Sequence, residues 1–566
     1  MVLALRAFFL ILLPINKKNF ANIVQRQYQK SVVLAPSRGS IFDRQGDPLA
    51  ISIQVPSIAI NPRIFAPNPT ELLGLAKILN VKTSFINSRR SRRDRYFVWL
   101  KRHVDPKKVD EVQNMNLEGL IIIQEPTRFY SAGSAASNII GMTGLDNSGL
   151  FGLERQFNKE LRGEPIKFNI HTDARGKYIF HNTSEPNSEK TGNELHLSID
   201  RALQEIASHE LEVGLKKAKS QRGFVIVSDP HSGHILALAN IPQVDPNVRY
   251  GKFSYETFRN NALSDLFEPG SVIKPFVFSE ALETKNVAKD EKIFCENGSL
   301  KIGESTIHDT HPSAELSVVE ALITSSNICT YKLAIRLGRE GLFEALKKFG
   351  FFRPEMFLSF PGQIIGRISP WTSWKPIRFA NISFGHGFVV SGIELVQAMG
   401  VFANGGRLMK PILVSKLVNS KGQIVQNFSS QSLGQIITPK TALDMREILS
   451  LVVTDKLGTG SKAKTRLYTT AGKTGTAQKV LPGTRGYARD KYVASFLGFT
   501  PVKDPHLVIY VYVDEPQEKP YYGGTWAAPI FAEIAEKSLK YLNVKPDIAS
   551  KTELEISNKK QKNLTF

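Results

Sequence analysis

Cysteine is scarce: Cys295 and Cys329 are the only two in 566 residues. That excludes a disulfide-dense scaffold, and no C-x-x-C pair or other metal-ligand spacing is present. At most one intramolecular bridge can form, and we read the pair as two separate thiols, one or both buried. Homopolymeric tracts and internal repeats are missing, which excludes collagen-like and solenoid architectures. There is no aromatic-basic RNA signature and no basic helix with heptads. The formal charge of +21 therefore attracts polyanions such as anionic lipid or acidic polymers, but nothing beyond charge argues for nucleic acid. Long apolar runs are also absent, except at the N-terminus. There MVLALRAFFLILLPI would cover about 22 Å as a helix, short of the roughly 30 Å hydrocarbon core. No basic n-region precedes it and no small-x-small cleavage site follows. Three readings stay open for residues 1–15: an anchor helix whose true start lies upstream, a cleaved signal, or a buried core helix.

What is present is an ordinary globular composition, 42% hydrophobic and 22% charged, at a length that predicts two or three domains. The stretch APSRGSIFDRQGDPLA reads as the loop opening a first folded unit. The basic run Asn87 to Arg95 reads as a solvated loop, and the polar run HNTSEPNSEKTGNE at 181–194 as a linker. A second domain then begins near Leu195 with an amphipathic helix (IDRALQEIASHELEVGLKKA). FVIVSDP and ILALANIP follow as a hairpin across a His-Ser-Gly turn. Two further β-branched runs, YVASFLGFTP (492–501) and HLVIYVYVDE (506–515), precede a last helix, APIFAEIAEKSLKYL. Strands early and late with helices between them predict an α+β layer in which both sets share one antiparallel sheet. The tail after Pro546 reads as disordered.

Three short elements carry chemistry. In EPGSVIKPFVFSE, Pro269 and Gly270 break the chain and Ser271 opens an apolar helical segment. The positive end of a helix favours an alkoxide or oxyanion, and Lys274 lies one turn along the same face. For its amine to take a proton near neutral pH, burial or neighbouring cations must depress its pKa. S-x-x-K also occurs at Ser461 and Ser557, but in a Gly-Lys-rich stretch and in the polar tail, both read as flexible loops. The second element, Thr324-Ser325-Ser326-Asn327, follows a predicted amphipathic helix, SAELSVVEALIT, and sets a hydroxyl and a carboxamide two residues apart. The third is Gly472-Lys473-Thr474-Gly475-Thr476, ahead of a strand; the other K-T-G, at Lys190, lies in the linker. S-x-x-K, S-D-N and K-T-G in this order are the joint signature of penicillin-binding proteins and class A β-lactamases. Here Ser326 stands where that pattern has Asp.

The chain resembles the class B penicillin-binding proteins over nearly its whole length. RGSIFDRQG at Arg38 to Gly46 and GLFGLE at Gly149 to Glu154 resemble the family's non-catalytic boxes. SFGHGFVVSGIELVQAMGVFANGG (383–406) resembles its helical segment between the second and third motifs. AGKTGTAQKV and DEPQEKPYYGGTWAAPIF are more similar to the division-specific (septal) enzyme than to the elongation one. The resemblance implies an α+β penicillin-binding/serine β-lactamase-like transpeptidase domain over 195–545, in which an antiparallel sheet packs with helices. An elongated pedestal domain (30–190) and a membrane anchor would precede it. The implied activity is peptidoglycan D,D-transpeptidation through a Ser271 acyl-enzyme, with release of D-Ala and inhibition by β-lactams. Ser271 would be the nucleophile, Lys274 the base, Ser325 the proton relay and Asn327 a contact to the donor peptide. Lys473, Thr474, Gly475 and Thr476 would form the substrate-binding strand, with the terminal carboxylate on Lys473, Thr474 and Thr476. The N–H groups of Ser271 and Thr476 would form the oxyanion hole. No metal or organic cofactor is needed. Implied partners are stem peptides ending in D-Ala-D-Ala, the inner membrane, a polytopic septal glycan polymerase and other division proteins, with the catalytic domain in the periplasm. No segment matches the class A deacylating glutamate, which implies slow turnover of the acyl-enzyme. Alternatives are an elongation-type transpeptidase, a carboxypeptidase or β-lactamase, and, from another class, a β-lactam sensor or a non-catalytic division scaffold.

Overall fold

The computed structural model describes residues 29–34, 36–172, 178–179, 191–248, 255–358, 360–480 and 486–548. The apolar segment 1–15, most of the 181–194 linker and all but 546–548 of the expected tail lie outside the described residues. Among the described residues no helix is long and apolar enough to cross a membrane.

The chain enters its first sheet through a tight hairpin of β1 (Ile41–Phe42) and β2 (Pro48–Ile60). Asp43 makes the turn, its Oδ1 accepting from the Gln45 and Asp47 amides at 2.8 Å each, the usual use of Asp in a turn. β2 pairs with strand Leu120–Tyr130 along most of its length and with Val98–Lys101 at its end. Helices Pro69–Leu79 and Pro106–Asn114 close this part, packing Leu75, Leu79, Val109 and Val112 onto Ile58, Ile60, Val98 and Leu100. The basic run at 87–95 departs from the expected loop. Helix Thr83–Arg90 includes its first four residues and is held by Ile86 on the same core, while most of the charged side chains stay exposed.

The two non-catalytic boxes meet in a buried ion cluster. Arg38, from the first, pairs with Glu154, from the second, and donates to the Asn147 carbonyl at 3.0 Å and to Asn158 Oδ1 at 2.8 Å. Arg128 reaches the other Glu154 oxygen at 2.7 Å. All three side chains are fully buried.

A short strand, β3 (Glu194–Leu197), leads into α1 (Arg201–Ala218). Asp200 caps α1 by accepting from the Ala202 and Leu203 amides, and Leu203, Ala207, Leu211 and Leu215 repeat every fourth residue on its buried face. The chain continues through β4 (Arg222–Ser228), β5 (Ile235–Ile241), α2 (Lys274–Glu283), α3 (Asn327–Lys348), α4 (Gly392–Ala403), β6 (Val414–Val418), β7 (Ala471–Val480), β8 (Tyr487–Thr500), β9 (Leu507–Asp514) and α5 (Gly523–Tyr541). The central sheet has the order β5-β4-β9-β8-β7, antiparallel throughout, so early and late strands share one sheet as expected. Period-two alternation divides its faces. Val225, Val227, Ile509, Val511 and Val513 meet α1 and α5, whereas Phe224, Ile226, Val508, Tyr510 and Tyr512 join the core that includes α2 and α4.

SAELSVVEALIT is not one helix. Glu315–Ser317 is a strand and the helix is Val318–Ile323, because Ser317 and Glu320 form a capping box that starts it there. A second, mixed sheet joins the two parts of the chain: β3 pairs parallel with β1 and antiparallel with β6.

Candidate active site

Ser271 sits in one turn of 3-10 helix, Gly270–Ile273, that runs directly into α2. Gly270 has φ +57°, and a Cβ there would lie 3.3 Å from the Thr476 carbonyl oxygen. At Gly475 a Cβ would fall 2.3 Å from Ser495 Oγ and 2.9 Å from Val272. Two glycines thus let the Ser271 turn close onto β7, the edge strand of the central sheet. Alternate peptide groups of an edge strand have no partner strand, and those of β7 lie beside the Ser271 turn.

Lys274 is fully buried. Its Nζ donates to the Ser325 carbonyl at 2.5 Å, Ser325 Oγ at 3.1 Å and Asn327 Oδ1 at 2.7 Å. Burial pulls its pKa from 10.5 down to about 7, against the opposing charge of Asp309. Among the described residues the half-buried Ser271 hydroxyl has no hydrogen-bond partner. The structure therefore brings Lys274, Ser325 and Asn327 together in direct contact and sets Ser271 one turn before Lys274.

The second motif is a strained turn. Ser325 has φ +61°, a conformation that costs a non-glycine residue on the order of 1–3 kcal/mol and persists only where neighbours enforce it. The Ser325 and Ser326 amides close the preceding helix onto the Leu322 and Ala321 carbonyls at 3.2 and 2.9 Å, and the residues that follow are gripped by Asp309. Its carboxylate accepts from Ser326 Oγ at 2.5 Å and from the Asn327 and Ile328 amides at 2.5 and 3.1 Å. Asn327 Nδ2 donates to the His308 carbonyl at 2.8 Å. The carboxylate that the motif lacks at Ser326 is supplied from a hairpin seventeen residues upstream.

On β7, Lys473 is fully buried. Burial, and after it the charge of Lys274, push its pKa well down. Thr474 Oγ1 meets Thr459 Oγ1 at 2.8 Å, and Thr476 Oγ1 accepts the Gly523 amide at 3.2 Å. Both threonines thus border the N-terminal end of α5, whose dipole favours an anion. The Ser461 stretch, expected to be a flexible loop, is a turn of 3-10 helix with Ala463 buried.

Sequence reasoning missed Asp309, Thr459 and His386. His386 is held neutral near the site, its pKa lowered to about 4 by burial and then by the charge of Lys274. Asp309 and Thr459 lie in no recognised motif, and His386 lies in the family-like segment 383–406, where its place between two glycines of SFGHG was the signal. The cysteines correct the expectation of separate thiols: Cys295 and Cys329 form a disulfide with Cα atoms 5.6 Å apart. Thirty-four residues separate them, and only the folding of the intervening hairpins brings them together.

The sequence model of the penicillin binding protein transpeptidase domain matches residues 223–536, and that of the penicillin-binding protein dimerisation domain matches 33–197. The probable peptidoglycan D,D-transpeptidase PbpC of Pseudomonas aeruginosa is 35% identical over 512 residues, 90% of this chain and 88% of that protein. The peptidoglycan D,D-transpeptidase FtsI of Escherichia coli is 30% identical over 524 residues, 91% and 85% respectively. The crystal structure of penicillin-binding protein 3 from Mycobacterium tuberculosis complexed with aztreonam superposes with a TM-score of 0.71 at 25% identity, covering 91% of this chain and 98% of that one. With the dimerisation and transpeptidase regions both matched, and a relative 35% identical over 90% of this sequence, the chain belongs to the penicillin-binding protein transpeptidase family.

Proposed function

We propose that this protein is a septal peptidoglycan D,D-transpeptidase that cross-links stem peptides through an acyl-enzyme on Ser271. The observation that carries the mechanism is Lys274, a buried amine with a pKa of about 7 that is held by Ser325 and Asn327 beside Ser271. When Lys274 is neutral, its lone pair takes the Ser271 proton as Oγ attacks the carbonyl of the penultimate D-Ala. The C–N bond to the terminal D-Ala then breaks, and Ser325 relays the proton to the departing amine. In the second half the amine of a neighbouring stem peptide attacks the ester, loses its proton to Lys274, and Ser271 leaves with a proton restored. The Ser271 and Thr476 N–H groups stabilise the oxyanion in each half; loss of one such donor typically costs about 3 kcal/mol. Lys473, Thr474 and Thr476, backed by the start of α5, receive the terminal carboxylate, while Gly475 keeps β7 close to Val272. Asn327 orients Lys274 and borders the donor peptide. A β-lactam follows the same acylation.

The septal assignment is supported by likeness to proteins named FtsI. Residues 30–190 form the pedestal and 195–545 the transpeptidase domain, a division supported by the two family matches. The apolar segment at residues 1–15 belongs to the anchor that holds the chain in the inner membrane and leaves the catalytic domain in the periplasm. The disulfide supports that placement, since such bonds persist in oxidising compartments. The anchor and pedestal are the surfaces offered to a glycan polymerase and other division proteins.

The test is incubation of the protein from about residue 30 with a fluorescent penicillin, followed by denaturing gel and intact mass. A stable label lost in Ser271→Ala, together with D-Ala release from a D-Ala-D-Ala peptide when an amine acceptor is present, is the expected result. A folded wild-type protein that takes no label would sink the mechanism.

A further inference from the structure

The disulfide lies next to the second motif. Cys329 stands in the first turn of α3, two residues after Asn327, and its amide is capped by Ser326 Oγ at 3.0 Å. Ser326 Oγ in turn donates to Asp309. Cys295 stands at the base of the turn Glu296–Gly298. Its carbonyl accepts the Gly298 amide at 2.9 Å, and the Gly298 carbonyl accepts the Asp309 amide at 3.0 Å. The bond therefore joins the segment that fixes the Asp309 backbone to the helix that the Asp309 carboxylate grips. The covalent ring it closes contains Asp309, Ser325 and Asn327.

Ahead of the buried helix Val318–Ile323, the chain around Asp309 is lightly held. Two short ladders, Lys292–Phe294 with Glu315–Ser317 and Ser299–Ile302 with Ser305–His308, bury Ile293, Ile307 and Leu316 and leave their other residues exposed or half-buried. Isolated two-stranded ladders of this size are marginal in water. The two sulfurs, by contrast, are fully buried in the main core.

We propose that the Cys295–Cys329 disulfide is a positioning element for acylation, holding Asp309 against the Ser325–Asn327 turn so that Lys274 keeps its partners beside Ser271. It rests on the acylation of Ser271 argued above. The bridge stands apart from β7 and its carboxylate-binding threonines, so breaking it slows the covalent step and leaves ligand capture nearly unchanged.

The experiment uses the full periplasmic portion and a fluorescent penicillin at saturating and sub-saturating concentrations. The wild-type protein is measured oxidised and after reduction with a dithiol, with thiols counted by mass, and a Cys295→Ser/Cys329→Ser variant is measured alongside. Circular dichroism and thermal unfolding establish that each sample is folded at the assay temperature. The expected result is an acylation rate constant at least about tenfold lower in the reduced protein and the variant, the order of loss for a catalytic group misplaced by under an ångström. The saturation constant should move less than about threefold, and the pH midpoint of acylation should fall as Asp309 retreats from Lys274. Oxidised wild type that fails to label overturns the acyl-enzyme reading itself. Reduced, folded protein that labels within about twofold of the oxidised rate overturns the present proposal alone. So does a protein that loses labelling only by unfolding, because the bridge is then a staple for the whole fold.

Discussion

With Lys274 as the proposed base, the acylation rate should follow a titration curve. Displacement of the Lys274 pKa from 10.5 to about 7 corresponds to about 5 kcal/mol, at about 1.4 kcal/mol for each factor of ten. This is the cost of holding an ammonium in a fully buried site, after the partial offset from the charge of Asp309. The base form should make up about half of the enzyme at pH 7 and about a tenth at pH 6. The second-order acylation rate should therefore fall about tenfold for each unit below pH 7 and level off above pH 8. Stopped-flow acylation with a chromogenic β-lactam, from about pH 5.5 to about pH 8.5, reads this directly. Lys274→Arg, which stays protonated, should lose about 10²–10⁴ in rate with no recovery at high pH. Stability carries the same signature with a definite sign. The folded pKa lies below the unfolded one, so the cost is fully present below pH 7 and fades as pH rises toward 10.5; this group makes the fold more stable with rising pH in that window. A rate that is flat across the range, or a midpoint near that of free lysine, would refute the assignment of Lys274 as the base.

Asp309→Asn should slow acylation about ten- to a hundredfold and move the pH midpoint downward, because Asp309's charge is what raises the Lys274 pKa; an upward move would contradict the contact. Glu154→Gln should lower stability by about 3–5 kcal/mol, because it leaves the buried guanidiniums of Arg38 and Arg128 without their carboxylate. That is measured as a fall in thermal midpoint with acylation at low temperature retained, and an unchanged midpoint counts against it. The Lys473 pKa, lowered by burial, should rise when a carboxylate binds beside it. Calorimetry of a β-lactam on Ser271→Ala in buffers of different protonation enthalpy, repeated across pH, should show proton uptake in the range where this amine titrates, and heat independent of buffer at every pH would count against the contact.

The legible parts of the chain were those whose signal is local. The β-branched apolar run in HLVIYVYVDE yields β9, and the four-residue repeat of leucine and alanine in α1 yields its buried face. Ser271, Lys274 and Lys473 were legible because glycine and proline breaks and apolar flanks separate them from their copies elsewhere. The unread parts depend on distant contacts. Asp309 has no periodic pattern around it, and its importance comes only from the fold that lays it on Ser326. The bridge between Cys295 and Cys329 was invisible for the same reason. SAELSVVEALIT misled because its apolar spacing suits a helix throughout, whereas the side chain of Ser317 decides where the helix begins.

β3 is four residues long, yet it makes the protein mechanically one piece. Through it, backbone hydrogen bonds run without interruption from the hairpin at residue 41 to the strand at residue 414. A torque on the N-terminal part must shear that ladder or pass on to the strands beside β6. The short strand is a drive coupling, and a fragment trimmed to begin at residue 198 would keep the catalytic groups while exposing a raw edge along β6, ready to recruit a neighbouring chain.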